Sequence, residues 1–304
     1  MLTIYHRAEK GKELAVVQEV VRGCWIHAVD PTKEEMLQLE QLGIIVENME
    51  DALDPDELPR LEHKDDISYF ILPVPYVEEG RNHQSPILVA VAQDFFLTLS
   101  KNSFDWLKNY IFKNDTFTHM KTRNFIEIGF WITEQYLITI RKISKAAYAK
   151  RTNLANLTND DIKNLVETEE TLNKFDNSLV PLIGMLEKVM SGKIITVFQE
   201  DRESTEDLII DARQALTMCE TSIRSIVNIR EAYTAVITNN LNKVIRFLSA
   251  LTVLVALPTI VASIFGMNVA LPMAQDPMAF WGLMVIMLVF MGAGVAYFYF
   301  RKWL

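Results

Sequence analysis

The chain is 304 residues long, 50 % hydrophobic and 23 % charged, with a formal net charge of −9. Its 30 basic against 39 acidic side chains exclude a nucleic-acid binder with a broad basic surface. Two distant cysteines, Cys24 and Cys219, exclude a disulfide scaffold and a Cys-rich zinc module, and only 11 Gly and 10 Pro exclude a collagen-like or disordered chain.

The charge is unevenly placed. Residues 243–304 carry only Lys243, Arg246, Asp276, Arg301 and Lys302, a net of +3, so everything upstream carries −12. The N-terminus, MLTIYHRAEKGKELAVVQEV, has charges every few residues and no apolar core, so no signal peptide is expected there. Strands rich in Val, Ile and aromatics are predicted at Gly23–Val29, Ile67–Val77, Ile87–Ala92 and Phe95–Ser100. Between the first two, Thr32–Leu42 reads as a helix with Thr32 as N-cap and Glu35 completing a capping box. A second short helix is predicted at Asn48–Leu53. Residues 1–120 therefore read as an α/β domain.

After Asn102 the pattern turns helical. Segments at about Thr122–Ala149 and Asp160–Met190 form an expected hairpin over 121–203. From Ser204 to Leu257 there is no Pro or Gly. Leu208, Ala212, Ala215, Cys219, Ile223, Ile226, Tyr233, Ile237, Leu241 and Val244 recur there at helical spacings, an apolar stripe on one continuous stalk, 204–246. Continued to Phe265, such a helix spans about 90 Å. A helix this long is expected to be held by partners.

Two uncharged runs follow, predicted as transmembrane helices over 247–265 and 280–300, each able to cross a hydrocarbon core of roughly 30 Å. Basic residues flank both: Lys243 and Arg246 before the first, Arg301 and Lys302 in the tail, 301–304. The connecting loop, 266–279, holds only Asp276. Positive-inside logic puts both termini in the cytoplasm, and Trp281 and Trp303 fall where interfacial aromatics belong. One hairpin cannot enclose an aqueous path, so conduction requires several copies around an axis. On the first span, Ser249, Thr252, Ala256, Thr259 and Ser263 step by 3, 4, 3 and 4, preceded by Asn242 on the same side. That stripe fits a pore face or a helix-packing face equally. In the second span, Gly292 and Gly294 read as close-packing positions.

The first span ends SIFGMNV. This Gly266-Met267-Asn268 tripeptide, ahead of a second span and a closing RKWL, resembles the signature of the CorA family of divalent-cation channels. NNLNKVIRFLSAL resembles the family's approach to the first span. ENMEDALDPDELPRLE resembles its acidic segment followed by a Pro and a basic residue, and CWIHA its Trp-centred strand. The resemblance implies a homopentameric funnel: an α/β cytoplasmic domain, long stalk helices and two transmembrane helices in the cell membrane, in contact with lipid. It implies a selectivity ring of Gly266, Met267 and Asn268 and a pore lined by Asn242, Ile245, Ser249, Thr252, Ala256, Thr259 and Ser263. Carboxamide oxygens of Asn268 suit hydrated Mg²⁺, which gives up its water reluctantly; Gly266 suits a sharp exit from the helix; Met267 suits packing, a thioether being a poor partner for a hard cation.

The resemblance also implies regulatory Mg²⁺ between neighbouring cytoplasmic domains, at Asp51 and Asp207, with Glu50 and Asp211 beside them. The sequence departs from the family at Phe265, where Tyr is usual, and in VALPMAQDP, which lacks the common acidic cluster. These departures leave Zn²⁺, Co²⁺ and Ni²⁺ open as cargo beside Mg²⁺. A rival from another class is a membrane-anchored metal sensor that does not conduct. No GxGxxG, P-loop or GxSxG sequence appears, so no enzyme is expected. The histidines His6, His27, His63, His83 and His119 show no ligand spacing. The basic run Arg141–Arg151 reads as a solvated helix face, with no nucleic acid expected as a partner.

Overall fold

The computed structural model describes residues 1–7, 9, 13–113, 115–151, 157–268 and 278–303. The chain divides into two compact units: one holds the sheet and the helices as far as Ile229, and the other begins at Arg230.

The first unit is built on a seven-stranded sheet of order β2-β1-β3-β7-β6-β5-β4. Its strands are β1 Leu2–His6, β2 Ala15–Val17, β3 Cys24–Val29, β4 Arg60–Lys64, β5 Ile67–Glu78, β6 Arg81–Val91 and β7 Phe95–Ser100. Only β3 and β7 run parallel, with Cys24 opposite Phe95; every other pair is antiparallel. The parallel pair lies at the middle of the sheet, and all six residues of β7 are buried. A strand covered on both faces reads as a continuous apolar run, as FFLTLS does. The two polar side chains within that run are satisfied: Thr98 Oγ1 accepts from Trp25 Nε1 at 2.9 Å, and Ser100 Oγ donates to the Asn102 carbonyl at 2.8 Å.

Two hairpins fix the register. Glu79 and Gly80 both take positive φ, 49° and 77°, so β5 turns directly into β6 and Glu78 pairs with Arg81. This two-residue turn starts β6 six residues before the predicted Ile87. Asp65 and Asp66, at φ 51° and 59°, do the same between β4 and β5. One sheet face packs Ile26, Ala28, Ile71, Leu88 and Leu97 against α1 (Lys33–Gln41) and α2 (Val46–Asp51) through Leu39 and Met49. The other meets α3 (Asp105–Phe112) and α4 (Lys121–Arg151), where Trp25 lies edge-on to Tyr110 and Phe70 touches Phe125.

Helix α1 begins as the sequence predicts. Thr32 Oγ1 accepts from the Glu35 amide, Glu35 Oε2 accepts from the Thr32 amide, and the same carboxylate takes the Leu2 amide of β1 at 2.7 Å. Helix α5 (Asn159–Met190) opens with a second capping box, between Thr158 and Asp161. A buried polar cluster ties α4 and α5 to the sheet. Tyr136 donates to the Pro73 carbonyl at 2.9 Å and accepts from Gln84, which also reaches Ser178. Gly129 of α4 opens a notch for α6 (Gln199–Phe265): a Cβ there would stand 2.6 Å from Leu208 Cδ2. The apolar stripe of α6 is fully buried at Leu208, Ala212, Ala215, Cys219 and Ile226. Beyond Arg230, in the second unit, it is bare: Ile237, Leu241 and Val244 are 45 %, 56 % and 53 % exposed.

Candidate pore helix and acidic face

In the second unit α6 continues to Phe265, and α7 (Ala279–Phe300) follows. Both are long and apolar enough to span a bilayer, and only 11 % and 6 % of their most apolar stretches are buried. A core helix of a soluble protein would be mostly covered; these apolar surfaces need lipid or other copies. Helix α7 is stopped by a Schellman motif. The Trp303 amide donates to the Phe298 carbonyl and the Lys302 amide to that of Tyr299, with Lys302 at φ 56°. Trp303 then stacks on Phe298 at 5.6 Å, the hydrophobic contact that accompanies such a cap.

The two helices meet on a defined side. Ala250 and Leu254 are the buried residues of α6 in this unit, and a Cβ on Gly294 of α7 would lie 2.9 Å from Leu254 Cδ2. Gly294 is thus a close-packing position, as expected. Gly292 makes no such contact within the chain, where a Cβ would meet nothing within 4 Å. At 100° per residue the line through Ile245, Ser249, Thr252, Ala256, Thr259 and Ser263 lies about 150° around the helix from the Ala250–Leu254 side. Asn242, Ile245, Ser249, Thr252, Thr259 and Ser263 are exposed and Ala256 is half-buried. The small and hydroxylic stripe therefore is not the face that packs on α7.

The hydroxyls on that stripe are oriented. Thr252 Oγ1 donates to the Leu248 carbonyl and Thr259 Oγ1 to the Val255 carbonyl, each at 2.8 Å. With their protons committed to the backbone, these oxygens present lone pairs outward. Outward acceptors suit the water shell of a cation. Pro258 lies between the two threonines and brings no N–H for the Leu254 carbonyl one turn back.

At the end of α6, Gly266, Met267 and Asn268 are all exposed. The Gly266 amide still donates to Ala262 at 2.9 Å, and the Met267 amide donates to Ile264 at 3.3 Å. The helix ends in a tightened last turn, and Gly266 is not among the residues with positive φ. Residues 269–277, with Asp276, lie outside the described residues.

The predicted regulatory acids all belong to the first unit. Asp51 closes α2 and is paired with Arg60, the first residue of β4; the side chains are 27 % and 38 % exposed. Arg60 also donates to Asn48 Oδ1 and Glu57 Oε1, each at 2.8 Å, and Asn48 donates on to Glu62. Burial disfavours the guanidinium's charge, but the hydrogen bond and attraction of Asp51, then Glu57 and Glu62, outweigh it and raise its pKa. Glu50 and Asp207 are exposed, and Asp211 is half-buried on α6. Among the described residues no hydrogen bond or ion pair joins Asp51 or Glu50 to Asp207 or Asp211, and no cluster of three or more metal-ligating side chains forms. Arg60 was partly legible, as the basic residue after Pro59; its partner was not.

A family model described as CorA-like Mg²⁺ transporter protein matches residues 22–302. A curated relative, the cobalt/magnesium transport protein CorA of Methanocaldococcus jannaschii, is 26 % identical over 89 % of this chain and 88 % of its own length. The complete structure of the CorA magnesium transporter from that organism superposes with a TM-score of 0.87 at 23 % identity, covering 100 % of this chain and 99 % of that one. The cytoplasmic domain of ZntB from Vibrio parahaemolyticus matches 77 % of this chain and 96 % of its own with a TM-score of 0.62 at 10 % identity.

Proposed function

This chain belongs to the CorA-like Mg²⁺ transporter family, and on that premise we propose that it is a channel that admits Mg²⁺ to the cell. It is a divalent-cation transporter of the membrane, not an enzyme; the cargo, the path and the gate are the proposal. Copies of the chain, five in number, surround an axis faced by the Asn242–Ser263 stripe. The observation that carries this reading is the stripe's direction: its oriented hydroxyls turn away from α7 and run to an exposed Gly-Met-Asn.

Each chain contributes one Asn268 carboxamide to an outer ring. Neutral oxygens hold a hydrated ion through its waters without binding it too tightly to release. Both termini face the cytoplasm, where the membrane potential draws a divalent ion inward with about 4.6 kcal/mol per 100 mV. In the gate, Asp51 and Asp207 of neighbouring copies, flanked by Glu50 and Asp211, hold regulatory Mg²⁺. The donor set fits: these are hard carboxylate oxygens at accessible positions, and Asp51 already holds a cation, Arg60. Bound Mg²⁺ offsets the repulsion between these faces, and its loss lets them part.

The test is ion flux into proteoliposomes, with Mg²⁺ and Zn²⁺ compared with and without a pH gradient. Potential-driven Mg²⁺ entry is expected, and Asn268→Ala lowers it at least tenfold. Zinc flux driven by protons would replace magnesium as the cargo. Absence of flux of Mg²⁺, Zn²⁺, Co²⁺ and Ni²⁺ in assembled protein freed of internal Mg²⁺ would favour a non-conducting sensor.

A further inference from the structure

We propose that Arg60 is the resident counter-ion of Asp51 and sets the Mg²⁺ concentration at which that carboxylate is recruited for regulation. This rests on the reading of Asp51 as a sensor acid.

The guanidinium is held, not merely near. It donates to Asp51 and Asn48 from Nη2 and to Glu57 from Nη1. Asn48 is 1 % exposed and is itself tied to Glu62, so the acceptor that anchors the fork cannot wander. A planar fork fixed at three points loses little freedom in keeping its carboxylate. The Asp51–Arg60 pair nevertheless reaches the surface, open to an ion from solvent or from another copy.

Three carboxylates, Asp51, Glu57 and Glu62, act on this single arginine. With Arg60 in place these four groups sum to −2; without it they sum to −3, and the uncompensated Asp51 attracts a divalent ion more strongly. A guanidinium and a divalent ion sharing one carboxylate repel each other, so Mg²⁺ must displace Arg60 or bind against it. Arg60 therefore opposes Mg²⁺ and raises the threshold. If it only positioned Asp51, its loss would weaken Mg²⁺ binding instead, so the two roles predict shifts of opposite sign.

The experiment is limited proteolysis of the full-length protein in detergent across a Mg²⁺ titration. Chymotrypsin is used because changing Arg60 leaves its cleavage sites intact. Arg60→Gln should lower the Mg²⁺ concentration for half-maximal protection about tenfold, while Arg60→Lys, which keeps the charge, stays within about threefold of the parent. An unchanged or raised half-point in Arg60→Gln would overturn the proposal. Should Arg60→Gln not fold, Glu57→Gln decides: freeing the guanidinium for Asp51 should raise the half-point about threefold, and no rise would count against the counter-ion role. Asp51→Asn separates the underlying reading. If Asp51→Asn leaves the protection curve unchanged, Asp51 is not a sensor; if it shifts the curve while Arg60→Gln does not, only the counter-ion role fails.

Discussion

The His27 imidazole sits on β3, 6 % exposed, with Nδ1 3.0 Å from Thr98 Oγ1. Burial, then the charges of Lys108 and the N-terminal amine, pull its pKa down to about 4. The unfolded chain takes up this proton near the ordinary value of about 6.5, whereas the folded one resists it until about 4. Between those pH values the unfolded state binds more protons, so stability falls as pH falls. The full effect is about 3 kcal/mol. Denaturant unfolding of the first unit, followed in the full-length protein at pH 7 and pH 4.5, should show that loss. His27→Gln, which keeps a polar group for Thr98, should flatten the dependence; equal slopes in both proteins would clear His27. Cys219 is the opposite case. Burial pushes its thiol up to about 12 and Sγ donates to the Leu172 carbonyl, so it stays protonated and packs.

At the scale of elements, legibility followed how local the cause was. The α1 capping box is written in four consecutive residues, and the structure repeats it bond for bond. Two strands escaped for different reasons: LTIYH becomes a strand by pairing with β3 twenty or more residues on, whereas RLEHK, although joined to β5 by a two-residue turn, is a mostly polar edge strand that lacks the apolar pattern of a buried one. Spacing revealed the hydroxyl stripe, but its direction depends on where Gly294 lets α7 approach Leu254. That contact makes a paired prediction. Gly294→Leu places bulk where a Cβ already stands 2.9 Å from Leu254, and should destabilise the helix pair by about 1–3 kcal/mol. Gly292→Leu meets open space within the chain and serves as the control. Thermal midpoints of the detergent-solubilised variants read the difference; similar midpoints would mean that the helices do not depend on this contact.

At the scale of the whole molecule, the apolar stripe of α6 changes character along its length. As far as Ile229 its cover comes from the first unit of the same chain; beyond Arg230 large apolar side chains stand exposed. The sequence shows a single unbroken stripe and cannot reveal that change, because the residue types are the same on either side. An amphipathic helix with half its apolar face bare is stable only when something else covers it, and lipid or further copies are the available apolar surfaces. The proposed gate has the same incompleteness: among the described residues no hydrogen bond or ion pair joins Asp51 to Asp207, and in that proposal the shared ion lies between copies.

The Gly-Met-Asn tripeptide occurs once per chain, and that singularity has a genetic consequence. When a ring is closed by side chains from separate polypeptides, one altered subunit joins every assembly at random. With wild-type and Asn268→Ala alleles expressed equally, only roughly 3 % of five-chain rings would be free of the variant. A lesion confined to its own molecule would cost half the uptake; in the proposed ring this one should behave as dominant, silencing far more transport than its share of the protein.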